Sequence, residues 1–229
     1  MLRRLLLPAL TTAAMLALTL SLGFWQIERL RWKQGLLAEI DRGESVGSVP
    51  LSDHPRAFSR VSTEGTFASG VARYGAEVRA TPNGPAMGAH VLSVLQRPGA
   101  VQVVVDRGWA PIDGTVSVPV GPVRIEGYVR PPETASWSAA RDDTAARRFF
   151  TLDPVVIGAS FDIANVAPFT FVVLGPAGSF PEPASALPRP PNDHLSYAIT
   201  WFSLSAILAV VFLVFARQTL RKECGPDCL

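Results

Sequence analysis

Charge is scarce in this chain. Asp, Glu, Lys and Arg make up 17% of its 229 residues, against roughly 25% in an ordinary soluble domain. The net charge is only +2, and no basic stripe with interleaved aromatics occurs. The electrostatic footprint of a nucleic-acid partner is therefore missing. Cysteine is rarer still. The two residues of this type both lie in Cys224-Gly-Pro-Asp-Cys228, which excludes a disulfide scaffold. The pair reads as a reduced tail, or as half of a soft-metal site that lacks further ligands. The histidines His54, His90 and His194 are far apart in sequence. No G-x-S-x-G, P-loop, H-E-x-x-H or C-x-x-C is present, so the chain is expected not to be an enzyme.

Apolar and turn-forming residues are plentiful instead. Hydrophobic residues make up 48%, with 18 Gly and 20 Pro, and the mean hydropathy is +0.25. The apolar share is unevenly placed. Leu5 to Ile27 is an uncharged run of about 23 residues, and Leu195 to Ala216 one of about 22; roughly 20 suffice to span a bilayer. The first run exceeds the roughly 7–15 residues of a signal h-region and ends in no A-x-A site, so it reads as an uncleaved span. Arg217, Arg221 and Lys222 follow the second span, which puts the C-terminus in the cytoplasm. Arg3 and Arg4 compete with Arg29, Arg31 and Lys33 around the first span. Parity then places both termini inside and the middle domain outside. No transit peptide precedes the first span, which favours a bacterial plasma membrane.

The expected organisation is a cytoplasmic N-terminus (1–4), a transmembrane helix (5–27), an extracytoplasmic β-rich domain (28–180), a proline-rich linker with a helix cap (181–194), a second transmembrane helix (195–216) and a cytoplasmic tail (217–229). The middle domain reads as mainly antiparallel β with one or two short helices, a barrel being one arrangement. Val91–Leu95 and Val101–Val105 form a hairpin around Arg97-Pro98-Gly99-Ala100, whose Pro and Gly suit a type II turn. Val123 to Arg130 alternates strictly between apolar and polar. Arg60–Phe67 and Pro168–Leu174 are weaker strand candidates. Asp153 before Pro154 reads as an N-cap with Pro at N1, opening a short helix.

Three clusters carry possible chemistry. In Asn192-Asp193-His194-Leu195-Ser196-Tyr197-Ala198-Ile199-Thr200-Trp201, His194, Tyr197 and Trp201 share one helix face. The helix N-terminus favours neutral imidazole, the form that ligates metal. An axial nitrogen, aromatic walls and an apolar membrane side would suit a porphyrin, while an aromatic belt with a capping His is the alternative. In Gly23-Phe24-Trp25-Gln26-Ile27-Glu28-Arg29-Leu30-Arg31-Trp32, Trp25, Arg29 and Trp32 share a face. Arg29 or Arg31 could pair with a carboxylate such as a haem propionate, or these residues could simply anchor the span. In Val105-Asp106-Arg107-Gly108-Trp109-Ala110-Pro111, Asp106, Arg107 and Trp109 could form a partner-docking surface or a structural turn.

Taken in order, these three clusters resemble the surfeit locus protein 1 family of cytochrome c oxidase assembly factors. Arg60-Val61 with Gly65-Thr66-Phe67, Gly88-Ala89-His90-Val91 and Gly127-Tyr128-Val129-Arg130-Pro131-Pro132-Glu133 add weaker agreement. Asp106 stands where the family often has Asn, and Ser136 to Phe150 matches poorly. The resemblance implies help in delivering haem a to, or inserting it into, the haem-bearing subunit of the oxidase. It implies haem a as a transient cofactor with His194 as the metal ligand, that subunit and membrane lipid as partners, and contact with the haem synthesis machinery. A cofactor-free scaffold that docks the nascent subunit through the extracytoplasmic domain is the competing expectation.

Overall fold

The computed structural model describes residues 2–82, 84–137 and 139–223; the Cys224/Cys228 tail lies outside them. Two long apolar helices at the ends of the chain flank a β-rich domain, and the protein is a membrane protein of that plan. Helix α1 runs Leu2–Ser45 and helix α3 runs His194–Glu223. Both contain windows apolar enough to cross a bilayer, with mean hydropathy 1.9 and 2.4. Contacts separate a helix unit, up to Ala38 and from Pro190 onward, from a β unit, Glu39–Arg189.

Helix α1 is longer than its apolar run. Residues 28–45, expected within the β domain, continue the helix. Charges at Glu28, Arg29, Arg31 and Lys33 end the hydrophobicity, but Glu, Arg, Lys, Leu, Gln and Ala are all strong helix formers. The helix stops just before Gly47 and Pro50. Its last turns are part of the β unit. Ile40 is fully buried there, and Gly43 lies so close to the Phe58 carbonyl that any Cβ would overlap it.

The β unit contains β1 (Val49–Pro50), β2 (Arg60–Phe67), β3 (Ala72–Thr81), β4 (Gly84–Gln96), β5 (Gln102–Pro111), β6 (Pro122–Arg130), β7 (Arg148–Phe149), α2 (Pro154–Ala159) and β8 (Val166–Val173). Strands β2, β6, β8, β5 and β4 pair in sequence, and β2 pairs with β4 to close a ring. Of the arrangements open to an antiparallel β domain, the chain thus adopts a barrel, which removes the edges of those five strands. Most pairings are antiparallel. Strand β8 is the main exception, running parallel to β5. It follows a long excursion through β7 and α2, the length of connection that a parallel partner needs.

The hairpin forms as expected, with Val94 opposite Val104. Gly99 has φ +70, and the Ala100 N–H donates to the Arg97 carbonyl over 3.3 Å. Asp153 caps α2 by accepting from the Val155 and Val156 N–H groups at 2.9 and 3.4 Å. Two cores share the wall. Leu95, Val103, Val105, Val129 and Phe171 fill the barrel. Leu92, Val94 and Val104 face outward under Phe149, Ile157 and Phe161. This double burial explains why Val103–Val105 is continuously apolar rather than alternating. The alternation read across β6 holds to Glu126 and then breaks, because Gly127, Tyr128 and Val129 are all buried. Strand β3 was not anticipated: its Gly75 and central charges hide it, and it bulges between Tyr74 and Glu77.

Candidate functional site

Within the helix unit, α1 and α3 meet along small and polar residues. Ser205 Oγ donates to Thr19 Oγ1 over 2.7 Å. The Phe202 ring packs edge-on to Phe24, centroids 5.4 Å apart, beside Gly23, where a Cβ would come within 2.8 Å of it. About two turns nearer the start of α3 than Phe202, His194 Nδ1 lies 2.7 Å from Gln26 Oε1. Gln26 is only 8% exposed, and the Trp25 ring stands edge-on to the imidazole at 6.5 Å.

This geometry defines what the imidazole can do. The carboxamide oxygen is an acceptor, so this contact suits a neutral imidazole that carries its proton on Nδ1 and its lone pair on Nε2. A histidine held by a hydrogen bond through one nitrogen and offering the other is the arrangement of an oriented metal ligand. Of the residues expected to join it, Trp25 does so directly. Tyr197 is exposed and Trp201 half-buried on the same helix as His194. Arg29 and Arg31 are exposed on α1. The Arg29 guanidinium rests 4.0 Å from the centre of the Trp32 ring, a cation–π pair that keeps its charge available at the surface. Gln26 lies in the Gly23–Trp32 cluster, where its residue type alone points to no chemistry. Its signal was helical phase, since it follows Thr19 by two turns on one face.

The third cluster is different. Asp106, Arg107 and Trp109 lie within β5, not on a protruding turn. Asp106 is 1% exposed and Trp109 4%, so neither offers a docking surface. Asp106 accepts from the Gly108 N–H over 2.9 Å and holds His90 Nδ1 at 2.9 Å. Arg107 is half-buried, donating to the Ser117 carbonyl over 3.0 Å, and burial lowers its pKa. The wish of Trp and Arg to sit at interfaces is met here inside the domain. Trp109 Nε1 donates to the Glu77 carbonyl over 3.4 Å under the Arg79 guanidinium.

Another polar group lies on Tyr74. Its hydroxyl donates to the Glu133 carboxylate at 2.9 Å, and Glu133 also accepts from Arg130 over 2.6 Å and from the Leu152 N–H over 3.0 Å. Burial pushes the Tyr74 phenol up to about 12, with Arg130 opposing and Glu133 adding to the rise. Burial does the same for Tyr128, also to about 12, against the pull of Arg130.

Comparison with known proteins meets these observations. A model of the SURF1 family matches residues 13–206, which takes in most of α1, the barrel and the His194 end of α3. A SURF1-like protein of Monosiga brevicollis is 24% identical over 87% of this chain and 84% of its own length. Surfeit locus protein 1 of Homo sapiens is 25% identical over 86% of this chain and 74% of its own length. A SURF1-like protein of Rickettsia felis is 24% identical over 88% of this chain and 93% of its own length. With two terminal apolar helices, a β-rich domain between them and a family match across most of its length, this chain belongs to the SURF1 family.

Proposed function

We propose that this protein assists assembly of the haem-bearing subunit of cytochrome c oxidase by holding haem a and passing it on. The observation that carries the reading is the 2.7 Å contact between His194 Nδ1 and Gln26 Oε1. It leaves an oriented nitrogen ligand beside Trp25 at the start of an apolar helix. The donor set fits the group: His194 Nε2 would ligate the iron, and Arg29 and Arg31 would neutralise the propionates. Haem a supplies redox and oxygen chemistry only after it reaches the oxidase. Here the residues bind and orient it and then release it, so the protein acts as a carrier and not as an enzyme. A single imidazole suits that work, because transfer needs ligation weak enough to reverse.

In this reading the chain sits in a bacterial plasma membrane with both termini in the cytoplasm. The positive charge following α3 supports that orientation. The helix pair then meets lipid, the haem synthesis machinery delivers to its outer end, and the nascent oxidase subunit receives from it. A visible spectrum of the detergent-purified protein from cells that make haem a is the test. A Soret band that vanishes or shifts in His194→Ala is expected. A colourless protein whose His194→Ala variant still restores oxidase activity overturns the reading in favour of a cofactor-free scaffold.

A further inference from the structure

The seam of the helix unit is polar at two levels. Thr19 meets Ser205 at one level and Gln26 meets His194 at the other, both over 2.7 Å. On α1, Thr19, Gly23 and Gln26 are buried and follow at i, i+4 and i+7. On α3, Ala198 and Ser205 are buried and His194 is half-buried, at spacings that also return to one face. In hydrocarbon such groups find partners within the protein: Thr19 Oγ1 donates to the Met15 carbonyl of its own helix over 2.9 Å and so presents the acceptor that Ser205 reaches. Sliding α3 by one turn would separate both pairs together. The Thr19–Ser205 bond therefore selects the register in which Gln26 faces His194.

Free imidazole prefers its proton on Nε2, which would leave the ligating lone pair on Nδ1, aimed at Gln26. The Gln26 carboxamide oxygen reverses that preference. We infer that Gln26 is a positioning residue that holds His194 as the Nδ1–H tautomer and bares Nε2, with Thr19 and Ser205 setting the register that makes this possible. The inference rests on the reading of His194 as the haem ligand, but the tautomer exists without haem.

Nitrogen NMR of the full-length, haem-free protein in micelles, labelled in histidine, reads the tautomer directly. At about pH 8.5, above the ordinary imidazole range, His194 is identified by the signal lost in His194→Ala. The wild type is expected to show the proton on Nδ1, Gln26→Leu to move most of it to Nε2, and Gln26→Glu, which keeps an acceptor, to restore Nδ1. A wild-type His194 protonated on Nε2, or a tautomer unmoved in Gln26→Leu, overturns the inference. Titration with haem a separates this from the parent reading. Gln26→Leu should weaken binding by roughly tenfold to a hundredfold, the usual loss when a ligand's supporting hydrogen bond is removed. If the wild type binds no haem yet shows the expected tautomers, the carrier reading fails and the positioning role stands. If haem binds equally well to wild type and Gln26→Leu, the positioning role fails.

Discussion

Trp109 and Glu182 exchange both backbone hydrogen bonds. The Trp109 N–H donates to the Glu182 carbonyl, and the Glu182 N–H donates to the Trp109 carbonyl, each over 2.8 Å. This two-way bridge ties the proline-rich segment to the outside of β5. Leu174 and Ala184 make a second bridge nearby. Arg189 then pairs with Asp41 at 2.8 Å and with Glu44, fastening the same segment to the last turns of α1.

Gly108 makes the bridge possible. It has φ +117, and any Cβ there would overlap the Glu182 backbone. Gly108→Ala is expected to cost about 3 kcal/mol or more, combining left-handed strain with a backbone clash. Gly99→Ala, at φ +70 with open space around it, should cost only about 1–2 kcal/mol from strain alone. Thermal melts of the two variants check the difference; equal losses would show that the contact with Glu182 does not matter.

Trp109→Ala should act on stability, not on recognition. Removing a buried tryptophan typically costs about 3–5 kcal/mol. Recovery of the oxidase subunit in a pull-down should fall only in proportion to the folded protein, as judged by chemical denaturation. A variant of wild-type stability that no longer recovers the subunit would reinstate Trp109 as a docking residue.

Alkaline pH should weaken the β unit in a defined window. Tyr74 and Tyr128 keep their protons up to about 12 in the folded protein, against about 10 in an unfolded chain. Above pH 10 the unfolded state binds fewer protons than the folded one, so stability must fall as pH rises. The contribution is complete below pH 10 and is lost through pH 12. Denaturation midpoints followed from pH 9 upward should decline, and Tyr128→Phe should shallow the decline. A flat profile would mean that the phenols ionise at ordinary values in the folded state.

The Thr19–Ser205 bond should be modest in energy. Polar pairs between membrane helices average about 0.6 kcal/mol in double-mutant cycles. A cycle of Thr19→Val and Ser205→Ala, read by unfolding in mixed micelles, should return a coupling of that order. A coupling indistinguishable from zero would remove the register role assigned to this pair.

Much of the plan was legible from residue order. The two apolar runs, the Arg97–Ala100 turn and the Asp153–Pro154 helix start are local signals, each written within a few neighbouring residues. The extent of α1 was not, because the charges at Glu28 to Lys33 mark the end of an apolar surface and carry no instruction to unwind. Strand β3 was hidden for the same reason: its pairing with β4 is non-local, and its own residues are mixed in character.

The chemical site divides along the same line. Helical phase alone put His194, Tyr197 and Trp201 on one face, and Trp25, Arg29 and Trp32 on another. It could not decide what His194 touches, since Gln26 is distant in the chain and only the pairing of the helices brings it within hydrogen-bond reach. Nor could it distinguish a docking tryptophan from a buried one. An aromatic beside an arginine suits either role, and the choice at Trp109 was made by neighbouring strands, where its ring lies against Gly88 of β4 and its Nε1 donates to the Glu77 carbonyl of β3. Local spacing specifies the elements and the faces they carry; which faces meet is decided by burial and hydrogen bonding between segments far apart in the chain.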